Sequence, residues 1–335
     1  MFSKVLNVVH TTLSDLLHNH QHLTAIQTPL ALLSFRLIRF HIISKINNVL
    51  QTLFLNILSI KISLYDKIVL TGGFSVKICF IGDVVGMCGR RVVKNALPSL
   101  INNESIDLVI CNAENAAHGL GCSEKIINEL MFCGCDAFTL GNHSFSNYDF
   151  LRQITSLTNV VRPANITPSW PGADYIVIEK CGIRTGIINL LGQLNMGIAS
   201  DNPFDKGEEL IQLLKDNEHC DSIIIDFHAE TTSEKQALGY YFDGMVTAVI
   251  GTHTHVQTSD SRLLPGGTAF ITDCGMTGAV DSVLGMDVET SLARLAYKLP
   301  RKYEPADGPG FMNGVIIETD NYGRCTGIRR FTEYE

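Results

Sequence analysis

The sequence lacks the cysteine patterns of disulfide-rich domains and of thiolate metal sites. It contains ten cysteines, but they are scattered along the chain and no two of them form a C-x-x-C pair. Small secreted domains use closely patterned cysteines as disulfide frameworks, and structural zinc sites use C-x-x-C pairs. We therefore expect free thiols and a cytoplasmic protein.

Charge is also scarce, and positive charge most of all. Charged residues make up 18% of the chain against 45% hydrophobic residues, and 26 basic residues face 34 acidic ones, for a formal net charge of -8. The composition is that of a globular protein rather than a disordered one. An acidic chain is not suited to non-specific binding of nucleic acid, which needs a basic surface. A small anionic substrate would need a local source of positive charge, such as metal ions.

Residues 1–75 contain few acidic residues and lack a long apolar run. They contain six basic residues, two acidic residues and five of the eleven histidines. The apolar stretch VLQTLFLNILSI is interrupted by Gln51 and Asn56 and is shorter than the roughly 20 residues of a membrane span. The tract HNHQH has no carboxylate or cysteine near enough to complete a metal site. The segment is either an extension with the composition of a targeting sequence or a stretch preceding a true start near Val76.

From Val76 onward, strand and helix patterns alternate. The runs VKICFIG, IDLVICN and DAFTLGN are apolar and rich in β-formers, and a segment with helical periodicity follows each of them. Repeated strand–helix units predict a largely parallel sheet with helices on its faces. Two hairpins are also predicted, one turning at Cys181 and Gly182 and one around residues 321–323. No linker rich in Pro, Gly or Ser interrupts residues 76–335, which predicts one domain.

Polar side chains follow five of the predicted strands at the point where each strand ends. Each of them has a structural alternative: a helix cap, a hydrogen-bonded buried histidine, or two strand residues that share a face. Open α/β sheets, however, bind ligands at the carboxyl ends of their strands, so arrival at five successive ends predicts one common site. The residues are Asp83, Glu114, Asn115, Asn142, His143, His228, His253 and His255.

The chemistry of these side chains is that of a site for divalent metals. Carboxylate, amide and imidazole ligands suit manganese, iron or zinc, and there is no thiolate among the candidates. Eight groups exceed the needs of one ion. They suit two ions about 3.5–4 Å apart that share a bridging carboxylate, the arrangement used by phosphatases and nucleases.

The motifs GDVVG, NAENAAHG, GNHSF, DFHAE and GTHTH, in that order, resemble the calcineurin-like metallophosphoesterases, specifically their bacterial 2′,3′-cyclic-nucleotide 2′-phosphodiesterase branch. The resemblance covers about residues 76–331. It implies an α/β fold built as a four-layer αββα sandwich, with two mixed sheets in place of one parallel sheet. It also implies hydrolysis of cyclic nucleotides or other phosphodiesters, with RNA-derived phosphodiesters among the candidate substrates. We expect no membrane partner, and assembly into a homo-oligomer stays open.

The resemblance also implies a role for each motif residue. The superfamily usually begins with Asp-x-His, whereas Asp83 is followed here by two valines, and Asn115 takes the place of the missing ligand. His143 is implied as the general acid, and the metals as two ions of iron or manganese. The implied first site is Asp83, Glu114, Asn115 and His255, and the second is Glu114 as bridge, Asn142, His228 and His253.

Several alternatives stay open at this stage. A regulatory protein or scaffold that binds metal or nucleotide with little turnover would need a lesion among the ligands or at His143, and we find none. Metal-dependent amidohydrolases also use His-x-His, but early in their fold rather than late. His118 could contact substrate or stabilise its loop, and Thr252 and Thr254 are explained as strand formers more readily than as supports of the ligands. The stretch QLNMGIASDNPF departs from the branch, which leaves substrate specificity open.

Overall fold

The structure is a computed structural model, and it describes residues 76–335. The hypotheses of an N-terminal metal tract, a targeting segment and a start at Val76 concern residues 1–75, which lie outside the described part. Among the helices of residues 76–335, none is both long and apolar enough to cross a membrane. The ten cysteines all lie within this part of the chain and are free.

The described chain alternates strands and helices, as the hydrophobic pattern predicts. The strands are β1 (Val76–Ile81), β2 (Asp83–Val84), β3 (Leu108–Asn112), β4 (Ala137–Thr139), β5 (Val160–Val161), β6 (Tyr175–Lys180), β7 (Ile183–Leu191), β8 (Ser222–His228), β9 (Ala248–Thr252), β10 (Arg262–Leu263), β11 (Ala269–Ile271), β12 (Met276–Ala279), β13 (Gly310–Thr319) and β14 (Cys325–Tyr334). The α-helices are α1 (Gly86–Glu104), α2 (Glu124–Phe132), α3 (Phe150–Gln153), α4 (Pro203–Asp216), α5 (Thr232–Tyr241) and α6 (Val288–Leu295).

The strands form two mixed sheets. The first has the order β2-β12-β13-β1-β3-β4-β5, with β14 paired to the other edge of β13, and the second has the order β10-β11-β9-β8-β7-β6. In the first sheet β1, β3, β4 and β5 are parallel and β13 is antiparallel to β1. In the second, β7, β8, β9 and β11 are parallel while β6 and β10 are antiparallel. The single parallel sheet expected from the strand–helix units alone is therefore wrong, and the two mixed sheets are confirmed.

Side-chain alternation along the strands creates four layers. In β1, Ile78 and Phe80 face a core that also contains Ile187 and Ile224 of the second sheet, so this core lies between the sheets. Cys79 faces the opposite way and packs with residues of α1 and α2. Residues of α4 and α5 cover the outer face of the second sheet in the same manner. Since successive strand residues point to opposite faces, two buried faces per sheet require apolar residues at nearly every position, and central strands such as β3 and β9 have them.

Both predicted hairpins are present. Lys180 pairs with Ile183, so Cys181 and Gly182 form a two-residue turn with φ of 52° and 79°. Positive φ at both positions is the conformation that suits the twist of a tight hairpin. The second hairpin pairs Thr319 with Cys325 and encloses residues 320–324.

Candidate active site

All eight residues predicted from the strand ends meet in one place. His228 is the last residue of β8, and the other seven lie on the loops or the short strand that follow β1, β3, β4 and β9. The loops come from both sheets, because the parallel strands of the two sheets end at a common edge. The ligand-bearing edge is thus a product of the topology, as expected for an α/β fold.

One ring nitrogen, His228 Nε2, lies at the centre of a dense group of lone pairs. Asn142 Oδ1 is 2.9 Å from it, His253 Nδ1 is 3.0 Å from it and Glu114 Oε1 is 3.1 Å from it. Glu114, His228 and His253 have ligand atoms within 4.8 Å of one another, close enough to hold a metal ion. Because a single proton on Nε2 can satisfy only one of these neighbours well, the arrangement favours a cation with several coordination positions.

A second group of candidate ligands adjoins the first through Glu114. Asn115 Nδ2 donates to Glu114 Oε1 at 3.0 Å and lies 3.2 Å from His255 Nε2. Asp83 Oδ2 accepts the backbone N–H of His253 at 3.0 Å. Within the described chain, the buried atoms Asp83 Oδ1 and Asn115 Oδ1 have no hydrogen-bond partner. Buried acceptors normally have partners, so these two free oxygens suit a bound cation.

Each of the three candidate ligand histidines has an acceptor on the nitrogen that faces away from the centre. His228 Nδ1 is 2.9 Å from Thr252 Oγ1, and His255 Nδ1 is 3.0 Å from the carbonyl oxygen of Leu284. His253 Nε2 is 3.1 Å from Glu230 Oε2. Because a neutral imidazole has one N–H, an outward acceptor assigns the proton to the outer nitrogen and leaves the inner lone pair for a metal.

A buried chain of hydrogen bonds fixes the orientation of His228. Thr252 Oγ1 donates to Asp226 Oδ1 at 2.6 Å and therefore accepts from His228 Nδ1. Asn112 Nδ2 donates to Asp226 Oδ2 at 2.9 Å. The sequence analysis did not select Asp226 or Asn112 and explained Thr252 as a strand former. The only signal was a carboxylate within the apolar run SIIIDFH, two residues before His228 and so on the same face of the strand.

Burial and neighbouring charges shift the pKa values of the site residues in different directions. Burial raises the pKa of Asp83 to about 7, although His228 and His255 oppose it. Glu114 is also buried, but His228 and His143 outweigh that effect and lower its pKa to about 2. For His228 burial lowers the pKa, and the carboxylates around it, Glu114 foremost, outweigh burial and raise it to about 9. Without metal, His228 therefore retains a proton. This positive charge lies at the position where the surrounding lone pairs favour a cation.

Backbone geometry brings these candidate ligands close together. His253 and His255 both have left-handed backbones, with φ of 98° and 66°, a conformation that costs a residue other than glycine about 1–3 kcal/mol. A Cβ atom on Gly141 would lie 2.2 Å from Glu114 Oε2 and 2.4 Å from His228 Nε2. Only glycine at this position leaves room for the ligand atoms to converge.

His143 lies beside the centre and contacts it differently from the candidate ligands. Its backbone N–H donates to Glu114 Oε2 at 3.1 Å, and its ring Nε2 lies 3.4 Å from Asn142 Nδ2. Burial lowers the pKa of His143, Glu114 raises it, and His228 and His255 lower it further. The side chain is half-buried, so it remains reachable from solvent. His118 is exposed, with φ of 54°, on the neighbouring loop.

Comparisons with known proteins agree with the motifs and the fold. A family model described as "YmdB-like protein" matches residues 79–331. The 2′,3′-cyclic-nucleotide 2′-phosphodiesterase of Bacillus subtilis is 46% identical over 245 residues, which cover 73% of this chain and 92% of that protein.

Two solved structures are also similar to this chain. A phosphatase from Mycoplasma pneumoniae has a TM-score of 0.73 and 38% identity, over 78% of this chain and 94% of the other. A protein of unassigned function from Thermus thermophilus has a TM-score of 0.72 and 36% identity, over 78% of this chain and 100% of the other. The chain therefore belongs to the YmdB-like family, within the metallophosphoesterase fold, and is a phosphoester hydrolase.

Proposed function

We propose that this protein is a dinuclear metal-dependent phosphodiesterase that hydrolyses 2′,3′-cyclic nucleotides with His143 as general acid. The observation that supports it best is the convergence of lone pairs on His228 Nε2, next to a second ligand group joined to the first by Glu114. The named activity of the Bacillus subtilis relative supports the substrate class.

The ligands divide into two sets that share Glu114. The ring of His228 contacts Asn142 and His253, which supports a site made of these three and Glu114. Asn115 lies between Glu114 and His255, which supports a site made of these three and Asp83. Iron or manganese fits a set of carboxylates, amides and imidazoles. Two such ions, when bound, would supply positive charge to phosphoryl oxygens and lower the pKa of a water molecule.

The residues of the chain have separate tasks in this proposal. Asn115 and Asn142 add ligand atoms without adding negative charge, which leaves the centre attractive to an anionic phosphodiester. A water molecule attacks phosphorus, the bond from phosphorus to the 2′-oxygen breaks, and His143 protonates that leaving oxygen, so the product retains its 3′-phosphate. Because the overall charge is -8, attraction of the substrate depends on the centre rather than on the surface.

The substrate range extends in this proposal to RNA-derived phosphodiesters. The 2′,3′-cyclic phosphates have the same reacting group whether they belong to a mononucleotide or to the end of an oligonucleotide. The side chain of His143 is only half-buried, which supports access by a group larger than a mononucleotide.

An activity panel tests the proposal. Purified protein loaded with manganese or iron should hydrolyse a 2′,3′-cyclic nucleotide faster than a 3′,5′-cyclic nucleotide, a linear diester or a monoester, and a chelator should abolish the reaction. Binding of two metal ions and nucleotide without turnover would contradict the proposal and favour the regulatory alternative. Preference for a monoester would show that the substrate class is wrong.

A further inference from the structure

A buried ion pair lies behind the loop that bears His253 and His255. Lys235 Nζ donates to Asp273 Oδ2 at 2.7 Å, and the two side chains are 1% and 0% exposed. Lys235 belongs to α5, and Asp273 follows β11. Lysine is almost never fully buried unless it is paired, so this position has a specific requirement for both charges.

Stability alone does not account for such a pair. Removing two charges from water offsets most of their attraction, and apolar residues of similar volume often replace a buried ion pair without loss of stability. A carboxylate does, however, fix the orientation of its neighbours, because it accepts hydrogen bonds and cannot donate them, so that donors must point toward it. The other contacts of Asp273 therefore show what the pair holds in place.

Those contacts hold the residue between the two ligand histidines. Asp273 Oδ2 accepts the backbone N–H of Thr254 at 2.9 Å and its hydroxyl at 2.6 Å. Asp273 Oδ1 accepts the N–H of Gly275 at 2.8 Å. Lys235 supplies the opposite charge at the oxygen that binds Thr254. The carboxylate is thus surrounded by donors and can adopt only one orientation.

The hydrogen bonds to Asp273 fix both the peptide and the side chain of Thr254. On either side of it, His253 and His255 have left-handed backbones, which persist only when the surroundings determine them. Their rings diverge: His253 contacts His228, whereas His255 contacts Asn115. Fixing the N–H and the hydroxyl of Thr254 therefore determines where both rings point.

We propose that Lys235, Asp273 and Thr254 form a positioning unit that directs His253 and His255 toward two different metal ions. The inference rests on the proposed two-ion centre. None of the three residues is a ligand or contacts substrate, and they act through the peptide that joins the two histidines. Residues that orient metal ligands in this way typically contribute 10–100-fold to metal affinity.

The hydroxyl of Thr254 offers a matched pair of variants. Thr254→Val keeps the size of the side chain and the backbone N–H but removes the donor to Asp273, whereas Thr254→Ser keeps the donor. Titration of the metal-free proteins with Mn²⁺ against a competing chelator should show binding weakened about 10–100-fold in Thr254→Val and close to wild type in Thr254→Ser. Equal affinity in the two variants would overturn the proposal.

Variants of the ion pair separate positioning from stability. Asp273→Asn places an amide N–H against at least one donor, and Lys235→Met leaves the carboxylate without its counter-charge. Leu214→Ala, in the core outside the second sheet, serves as a control that lowers the melting temperature without touching the loop. Weakened Mn²⁺ binding in Asp273→Asn and Lys235→Met, and unchanged binding in Leu214→Ala, would support the proposal.

Two results would contradict the positioning inference, and the measurements distinguish them from each other. If Lys235→Met melts at a lower temperature but binds Mn²⁺ with wild-type affinity while folded, the pair has only a structural role and the inference is wrong. If the wild-type protein itself fails to bind two Mn²⁺ ions, the proposed two-ion function is wrong, and the positioning inference fails with it.

Discussion

His143 is the residue of the site whose proposed role differs most from those proposed for its neighbours. Its ring is not part of the group around His228 Nε2, and its Nε2 lies 3.4 Å from Asn142 Nδ2. A ribose alkoxide leaves poorly without a proton, whereas a nitrophenolate needs little help. His143→Ala should therefore retain both metals, lose about 10²–10⁴-fold in kcat/KM on a 2′,3′-cyclic nucleotide, and lose much less on a nitrophenyl phosphodiester. Parallel losses on the two substrates would rule out the acid role, and depleted metal would make His143 a ligand.

The lowered pKa of His143 adds a pH dependence with a defined sign. The ring is protonated below its pKa, which burial shifts under the usual value of 6.5, and it loses the proton as the pH rises. The ratio of kcat/KM on the cyclic nucleotide to kcat/KM on the nitrophenyl diester should therefore fall with rising pH. In His143→Ala that ratio should be flat, and a wild-type ratio that is independent of pH would contradict the assignment.

The paired histidines of the GTHTH motif should each affect one ion. Since His253 contacts the ligand group around His228 and His255 contacts Asn115, single alanine variants should each lower the metal content by about one ion per chain. Elemental analysis of purified protein measures this directly. His118→Ala, an exposed histidine on a neighbouring loop, is the control and should retain both ions. Loss of both metals from either ligand variant would indicate one shared cluster instead.

The sequence predicted the residues that the structure brings together at the candidate site, but it did not select the buried residues behind them. Asp83, Glu114 and the GTHTH histidines follow apolar strands, where polar side chains stand out from the pattern. Asp226 and Lys235, in contrast, are buried within elements, and nothing in a hydrophobic pattern shows which donor a buried charge will meet. Threonine is common in strands, so Thr252 and Thr254 do not stand out in the sequence, and only the folded structure reveals their partners.

At the scale of elements, the tight turn between β6 and β7 is the clearest case in which sequence determines local structure. Gly182 has φ of 79°, and a Cβ atom there would meet nothing within 4 Å. Gly182→Ala should therefore cost about 1–2 kcal/mol from backbone conformation alone. For a chain of this size, each kcal/mol corresponds to a fall of about 2–4 °C in melting temperature, measurable by calorimetry.

The same turn provides a control and a second readout. Cys181 also has positive φ, and asparagine tolerates that conformation better than most residues, so Cys181→Asn should leave the melting temperature unchanged or raise it. The turn precedes β7, and Leu191 at the far end of β7 pairs with His228, so kcat/KM should not change in either variant. An unchanged melting temperature in Gly182→Ala would contradict the turn assignment.

Pairing between distant strands could not be predicted in the same way. The short strand β2 pairs with β12, and β13 pairs with both β12 and β1, so neighbours in the sheet are far apart in the chain. Hydrophobic periodicity predicts that a segment is a strand but contains no information on its partner. The division into two sheets therefore came from the family resemblance, while the alternation of strands and helices alone predicted one sheet.

At the scale of the whole molecule, the catalytic motifs are confined to one part of the chain. The family model matches residues 79–331, and residues 1–75 contain none of the motif residues. Protein beginning at Val76 should therefore fold, bind metal and keep the kcat/KM of the full chain. Insoluble or inactive truncated protein would show that residues 1–75 belong to the domain. Cytoplasmic location and assembly into a homo-oligomer stay predictions of the sequence.

Glu114 tests the central claim most directly, because it is the one proposed ligand that both ions share. Elemental analysis and activity assays should be made on wild-type protein and on Glu114→Ala, with the melting temperature of the metal-free proteins as a check of folding. We expect two ions per wild-type chain, and in folded Glu114→Ala both sites emptied or severely weakened together with loss of hydrolysis. Two tightly bound ions in Glu114→Ala, or hydrolysis by wild-type protein that contains no metal, would contradict the account.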